Sequence, residues 1–322
     1  MSATFGLALS GGGAKGLAHI GVLKVLEEVR VPVHLLAGTS MGGVIATMYA
    51  AGHSAKTIEE MARSMRLLNI LQRDRSGLGL IGPGKIANLL REALGGDPTF
   101  DELEIPLALV GTDLETGEEV IMREGSVVEA VLATIAIPFI FPPVEWHGRL
   151  LADGGILNQV PFDVVREMGA ETDGAQGNAR GRDVHGRDVR VIAAYAFRDL
   201  CCESEEDTTS ERRATETIVR LLIRHSRWGP MIDMVERSQN IMIRKQVAQR
   251  MREAPPDLMI EITINSVGLL DLDQLDVCLR AGEEAARRHL PELIALRDAP
   301  PPGPLARWWQ LVTDRFAEIG RP

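Results

Sequence analysis

The stretch VHLLAGTSMGGVIATMYAA, Val33–Ala51, decides the fold class. Val33 to Ala37 is a short apolar run that reads as a buried strand. Gly38 to Gly42 is a sharp turn, and Gly43 to Ala51 reads as a helix that Gly52 stops. The same order of elements stands just before it. Thr4 to Leu9 is an apolar strand, Ser10 to Gly16 a glycine-rich turn, and Leu17 to Val29 has helical spacing of Leu17, Ile20, Val22, Leu23 and Leu26. Two strand–turn–helix units in succession predict an α/β protein with a central, mostly parallel sheet and helices on both faces.

Further along, Pro106 to Thr112 and Val189 to Phe197 read as core strands, and Leu258 to Ile264 as a late one. Leu114 to Met122 reads as a hairpin arm turning at Glu115–Gly117, and Val144 to Leu151 as a hairpin around His147–Gly148. Helices are expected over Ala55 to Leu94 (interrupted by the glycine-rich stretch Gly77 to Gly84, a candidate lid), Ser126 to Ala136, Ala214 to Met251 and Asp273 to His289. Glu171 to Arg187 is polar and rich in Gly, Asp and Arg, and reads as a surface loop. Ala299 to Pro304 reads as a proline-rich linker to an amphipathic helix, Leu305 to Ile319, carrying Trp308 and Trp309.

With 322 residues, 45% hydrophobic and 25% charged, the chain has the composition of a soluble globular protein. No basic and then apolar leader precedes Thr4, so no signal peptide is expected. The most apolar stretch, Ala130 to Val144, is too short to span a bilayer and is broken by Pro138, Pro142 and Pro143. Three cysteines, 201, 202 and 278, form neither a disulfide framework nor a zinc pattern, and a cytoplasmic setting follows. A net charge of −10 argues against nucleic acid as a partner. The charge is uneven: residues 211–252 hold ten Lys or Arg and four acids. That basic segment could dock on an anionic membrane surface or be a set of ordinary helices with a solvated face. Trp308-Trp309 is open to the same two readings, interfacial anchor or packed rings.

Gly38-Thr39-Ser40-Met41-Gly42 is a G-x-S-x-G sequence between an apolar strand and a helix. Small residues on either side let the chain turn sharply enough to expose a serine hydroxyl at a helix N-terminus. There the helix dipole favours a developing alkoxide. The plain alternative is an N-capping serine in a glycine-rich turn.

Gly11-Gly12-Gly13-Ala14-Lys15-Gly16 also satisfies G-x-G-x-x-G, but the second strand ends Leu36-Ala37-Gly38 without the acid that a dinucleotide site needs. A P-loop fails because Lys15 precedes Gly16. Backbone N–H groups that cradle an oxyanion account for this loop beside an elbow serine. Lys15 either adds positive potential there or lies on the surface of the first helical turn.

None of the seven histidines (19, 34, 53, 147, 185, 225, 289) sits in a distinctive sequence. Asp153, in Leu150-Leu151-Ala152-Asp153-Gly154-Gly155, stands at a strand end before two glycines. It reads equally as a carboxylate aimed into a site and as a turn aspartate.

Together these motifs resemble the patatin-like phospholipase family, over roughly residues 4 to 290. Ala133-Thr134-Ile135-Ala136-Ile137-Pro138-Phe139-Ile140-Phe141-Pro142-Pro143 and Asn158-Gln159-Val160-Pro161 add to the likeness. The resemblance implies a three-layer α/β/α sandwich and a lipid or ester substrate. It implies a Ser–Asp dyad, Ser40 and Asp153, and an oxyanion hole of Gly11, Gly12, Gly13 and Ala14. Lys15, Gly16, Gly38, Gly42, Gly154 and Gly155 would support it, with no metal and no cofactor. The tail over 299–322 lies outside the likeness, so the expected division is a catalytic domain over residues 1–298 and that tail, in a cytoplasmic protein whose basic segment and Trp pair could touch a membrane peripherally. An acyltransferase or thioesterase on the same elbow and a silent lipid-binding protein are the alternatives. The headgroup, the acyl chain and the oligomeric state are not legible.

Overall fold

The computed structural model describes residues 3–64, 76–79, 81–171, 189–197 and 229–300. The strands are β1 (Thr4–Leu9), β2 (Leu35–Thr39), β3 (Leu107–Asp113), β4 (Glu119–Met122), β5 (Val144–Trp146), β6 (Arg149–Asp153), β7 (Val189–Phe197) and β8 (Leu258–Thr263). They form one mixed sheet in the order β5-β6-β3-β2-β1-β7-β8, with β4 also on β3. The four pairings among the five central strands β3-β2-β1-β7-β8 are parallel, and the pairings of β4, β5 and β6 are antiparallel.

The helices are α1 (Ala18–Glu28), α2 (Met41–Ala50), α3 (Ala55–Ser64), α4 (Gly84–Leu94), α5 (Val127–Thr134), α6 (Phe162–Glu171), α7 (Gly229–Glu253), α8 (Leu275–Arg288) and α9 (Leu290–Asp298). Successive side chains of a strand point to opposite faces. Accordingly Leu7, Leu9, Leu107, Leu109, Ile192 and Ala194 join one core, with α1, α2 and α8. Ala8, Ala108, Val110, Val191, Ala193 and Tyr195 join a second core, with α6 and α7. Burial on both faces is why the strands read as continuous apolar runs, and it makes the three-layer α/β/α sandwich.

Several sequence expectations are displaced. β2 runs two residues later than Val33–Ala37, because Gly38 and Thr39 continue the ladder opposite Leu109 and Val110. A 3-10 turn, Gly13–Leu17, precedes α1. The late helix starts two residues after the expected Asp273 and ends at its expected bound, capped by His289, and a further helix, α9, follows it with Pro291 in its first turn. Glu171 belongs to the end of α6, while the rest of the expected polar loop, residues 172–187, lies outside the described residues. So do 65–75 of the Ala55–Leu94 span, 211–228 of the basic segment, and 301–322 with Trp308 and Trp309. The expected linker begins pinned to the sheet: Arg190 Nη2 donates to Ala299 O at 2.8 Å and to Pro300 O at 3.0 Å. Among the described residues no helix is long and apolar enough to cross a membrane.

Candidate active site

The register around β3 builds the site. β2 pairs with residues Leu107 to Val110 of β3, ending Thr39 opposite Val110. β6 pairs with Gly111 to Asp113 in the opposite direction, ending Asp153 opposite Gly111. β4 covers Leu109 to Thr112 as well. A residue in a sheet has only two ladder sides, so β4 holds one flank of β3 while β2 and β6 share the other. They run toward each other and stop head to head. Ser40 follows the end of β2, and Asp153 is the end of β6.

At this junction Ser40 turns the chain with φ 51° and ψ −127°, a conformation that costs an L-residue on the order of 1–3 kcal/mol. Packing holds it there. A Cβ on Gly42 would come within 2.3 Å of the carbonyl oxygens of Leu9 and Ser10, and one on Gly38 within 2.6 Å of Gly43 Cα. Ser40 N–H donates to Thr134 Oγ1 at 3.0 Å, and that hydroxyl donates to Val110 O at 2.6 Å. Thr39 Oγ1 donates to Asn158 O at 2.8 Å. The serine is buried, 4% exposed, at the N-terminus of α2.

Asp153 is 6% exposed. Its Oδ1 accepts from Gly155 N–H at 2.7 Å, and its Oδ2 is buried with no hydrogen-bond partner. Burial pushes its carboxyl up to about 6, and the Ser40 hydroxyl and Gly155 N–H pull in the other direction. The hydroxyl is therefore close enough to stabilise the carboxylate, although no hydrogen bond of good geometry closes onto Oδ2. Gly154 packs on β3, where a Cβ would lie 2.3 Å from Val110 O. Thr112 Oγ1 donates to Asp153 O at 3.0 Å.

The glycine loop leaves β1 one strand away. Gly11 N–H donates to Gln159 O at 3.0 Å and Ala14 N–H to Leu269 O at 2.8 Å, so neither is open to a ligand as the loop stands. This departs from the expectation that all four residues of 11–14 present donors. Gly12 and Gly13, at φ 146° and 57°, donate to no carbonyl among the described residues. Gly16 lies against Met41, with a Cβ position 2.7 Å from Met41 Cβ, which closes the first loop onto the elbow.

Lys15 is not on the surface. It is 5% exposed, and its charge acts on the Cys278 thiol. Burial pushes that thiol up to about 12.

The described histidines are engaged elsewhere. His19 is fully buried with Nε2 2.8 Å from Ser10 O, and burial lowers it to about 4. His34 accepts from Phe5 N–H, His53 pairs with Ala93 O, and His147 and His289 face Glu124 and Glu292. Among the described residues no cluster of three His, Cys, Asp or Glu side chains could hold a metal ion.

From Ser40 and Gly13 a cavity of about 140 Å³ runs between α2, α3 and α4. Val44, Met48, Ile58, Met61, Leu90 and Ile137 are among its walls, which are apolar away from the serine. The sequence reading missed two supports. Thr134 is one; it stands in a segment that adds to the likeness, but its role there was not read. The other is a polar cluster under the Asp153 turn. There Asn158 Nδ2 donates to Glu119 Oε1 at 2.7 Å and Asp163 Oδ1 at 3.0 Å, and Arg250 from α7 pairs with both carboxylates. Arg250 thus turns inward from the basic segment and is half-buried.

The fold and site define an α/β protein in which a strained serine between a strand and a helix lines an apolar cavity, with a buried carboxylate at the end of the strand that meets it. The chain belongs to the patatin-like phospholipase family, whose model matches residues 7–166. An uncharacterised NTE family protein of Mycobacterium tuberculosis is 30% identical over 301 residues, covering 90% of this chain and 48% of that one. The human patatin-like phospholipase domain-containing protein 6 is 36% identical over 179 residues, covering 52% of this chain and 13% of that one. The chain thus spans about half the length of the mycobacterial relative. Among solved structures, VipD from Legionella pneumophila superposes with a TM-score of 0.50 at 15% identity, covering 92% of this chain and 67% of that one, a likeness of fold.

Proposed function

We propose that this chain is a serine lipid acyl hydrolase, an esterase of the phospholipase A or lysophospholipase type, working through Ser40 and Asp153. The observation that carries the reading is the head-on meeting of β2 and β6 at the end of an apolar cavity. It supports the reading because the Ser40 hydroxyl acts on the desolvated Asp153 carboxyl, and Ser40 lines the cavity together with Gly13, with room for an acyl chain beyond.

In the proposed reaction Ser40 Oγ attacks the ester carbonyl carbon and its proton passes to Asp153. Gly12 and Gly13 N–H groups hold the oxyanion. The tetrahedral intermediate collapses, the ester C–O bond breaks, and the alcohol leaves with the proton from Asp153. A water then attacks the acyl-enzyme, gives its proton to Asp153, and the fatty acid departs as Ser40 regains a proton. Desolvation makes this direct carboxylate base effective, since a base with a value near the working pH transfers protons well. The engagement of the described histidines elsewhere supports this dyad over a histidine-assisted acyltransferase or thioesterase.

Hydrolysis of phospholipids, lysophospholipids and short p-nitrophenyl esters by wild type and Ser40→Ala tests the reading. The expected result is acyl release by wild type and none above background by the variant. Equal release by both would refute it.

A further inference from the structure

Phe139 stands on a wall of this cavity and faces away from it. Its neighbours Ile137 and Phe141 line the cavity, while Phe139 is 68% exposed. Its φ is 70°, a region a glycine occupies freely and an aromatic residue occupies under strain. The strain takes one large apolar side chain out of the wall and puts it in water.

A second exposed side chain stands beside it. Gly79 forms a parallel bridge with Phe139, and Ile81 N–H donates to Ile140 O at 2.8 Å. A Cβ on Gly79 would lie 2.6 Å from Pro142 N, so the two segments touch through their backbones. Leu78, next to that bridge, is 63% exposed.

We propose that Leu78 and Phe139 form the point at which this protein docks on a lipid surface, inserting into the acyl region of a neutral bilayer beside the cavity wall. The occupant rests on the reading of the cavity as an acyl-chain site. A lipid acyl chain has to leave a membrane to enter it, and the exposed pair belongs to the segments that form and flank its wall. Two side chains are too few for a stable protein–protein interface, which needs on the order of 1,200 Å². They are enough to add a measurable increment to membrane partition, since each buries an apolar side chain in hydrocarbon.

The test is partition onto phosphatidylcholine vesicles by flotation, alongside hydrolysis of a short, monomeric p-nitrophenyl ester. Phe139→Gly removes the aromatic ring and the strain together, so its Tm is expected at or above wild type. Its vesicle partition is expected to fall about 10-fold or more. Leu78→Asp is expected to fall at least as far, and both variants to keep kcat/KM on the soluble ester within about twofold. Wild-type protein that stays off neutral vesicles, or variants that partition like wild type, would overturn the docking proposal. Loss of partition accompanied by an equal loss on the soluble ester would also overturn it. Wild-type protein that binds vesicles through Phe139 yet cleaves no ester would leave the docking surface standing and remove the hydrolase reading.

Discussion

The turns that follow β1 and β2 lie side by side at the same end of the sheet, look alike in sequence, and are built for opposite purposes. In the first, the glycines supply conformation: Gly12 and Gly13 adopt positive φ, carry no side chain, and donate to no carbonyl among the described residues. In the second, the glycines supply room. Gly38 and Gly42 let the backbone close on itself so that the residue under strain is Ser40, which has a hydroxyl to present. Gly16 against Met41 is the contact that joins the two turns. On the proposed mechanism, a strained position is occupied by a glycine where the main chain would be the reagent, and by the reagent itself where a side chain would be needed.

Substitutions that exchange these roles test the contrast. The largest effect is expected from Ser40→Gly. Turnover should fall by on the order of 10⁶, while relief of the positive φ should stabilise the fold by about 1–2 kcal/mol, read as a higher Tm. A variant that is inactive and also less stable would contradict the strain assigned to Ser40.

Asp153→Asn should lower kcat by about 10⁴, and its effect on stability depends on pH. The folded state holds the Asp153 proton up to about 6, against 3.8 for an unperturbed carboxyl. Between those values the folded state binds more protons than the unfolded chain, so stability falls as pH rises through the window. Above it the buried charge costs about 3 kcal/mol. The variant should therefore melt above wild type at pH 8, and the gap should close toward pH 4. A gap that is independent of pH would show that the carboxyl is not desolvated.

Gly13→Ala sharpens the comparison from the other turn. It should lower kcat by up to about 100- to 1,000-fold, because the added Cβ shifts the loop and moves the Gly13 N–H off the oxyanion. Unlike Ser40→Gly it should destabilise the fold, because its Cβ would meet Leu269 O at 2.3 Å. The smallest effect is expected far from either turn. Ala62→Phe, on the α3 wall of the cavity, should shift the preferred acyl chain to shorter lengths and leave kcat on a short ester within about threefold. That change is read from a p-nitrophenyl ester chain-length series.

What was legible in the sequence was local. The strands Thr4–Leu9 and Val189–Phe197 carry the bounds that their apolar runs give, because burial on both faces keeps them apolar apart from Thr4 and Arg190 near their starts. The elbow was legible because strand, turn and helix follow one another within 20 residues. The meeting of β2 with β6 was not, since it depends on how β3 divides one flank between strands about 70 and 40 residues away in the chain. Nothing local separates a site aspartate from a turn aspartate at Asp153. Lys15 stays open in the sequence for a related reason. A lysine in the first turn of a helix is ordinarily solvated, and its burial here follows from α8 packing over that turn, with Cys278 Sγ 3.4 Å from Ala14 O. The donors of the glycine loop were over-counted because Gln159 and Leu269, which occupy two of them, come from distant parts of the chain.

The account turns on Asp153 as the direct base for Ser40, and the pH dependence of covalent labelling of Ser40 by a fluorophosphonate tests that most directly. The prediction is a labelling rate that rises with pH and levels off above about 6, the value set by burial of Asp153, and that becomes slow and loses this inflection in Asp153→Asn. An Asp153→Asn protein that labels at the wild-type rate with the same inflection would contradict the account and return the search to a histidine.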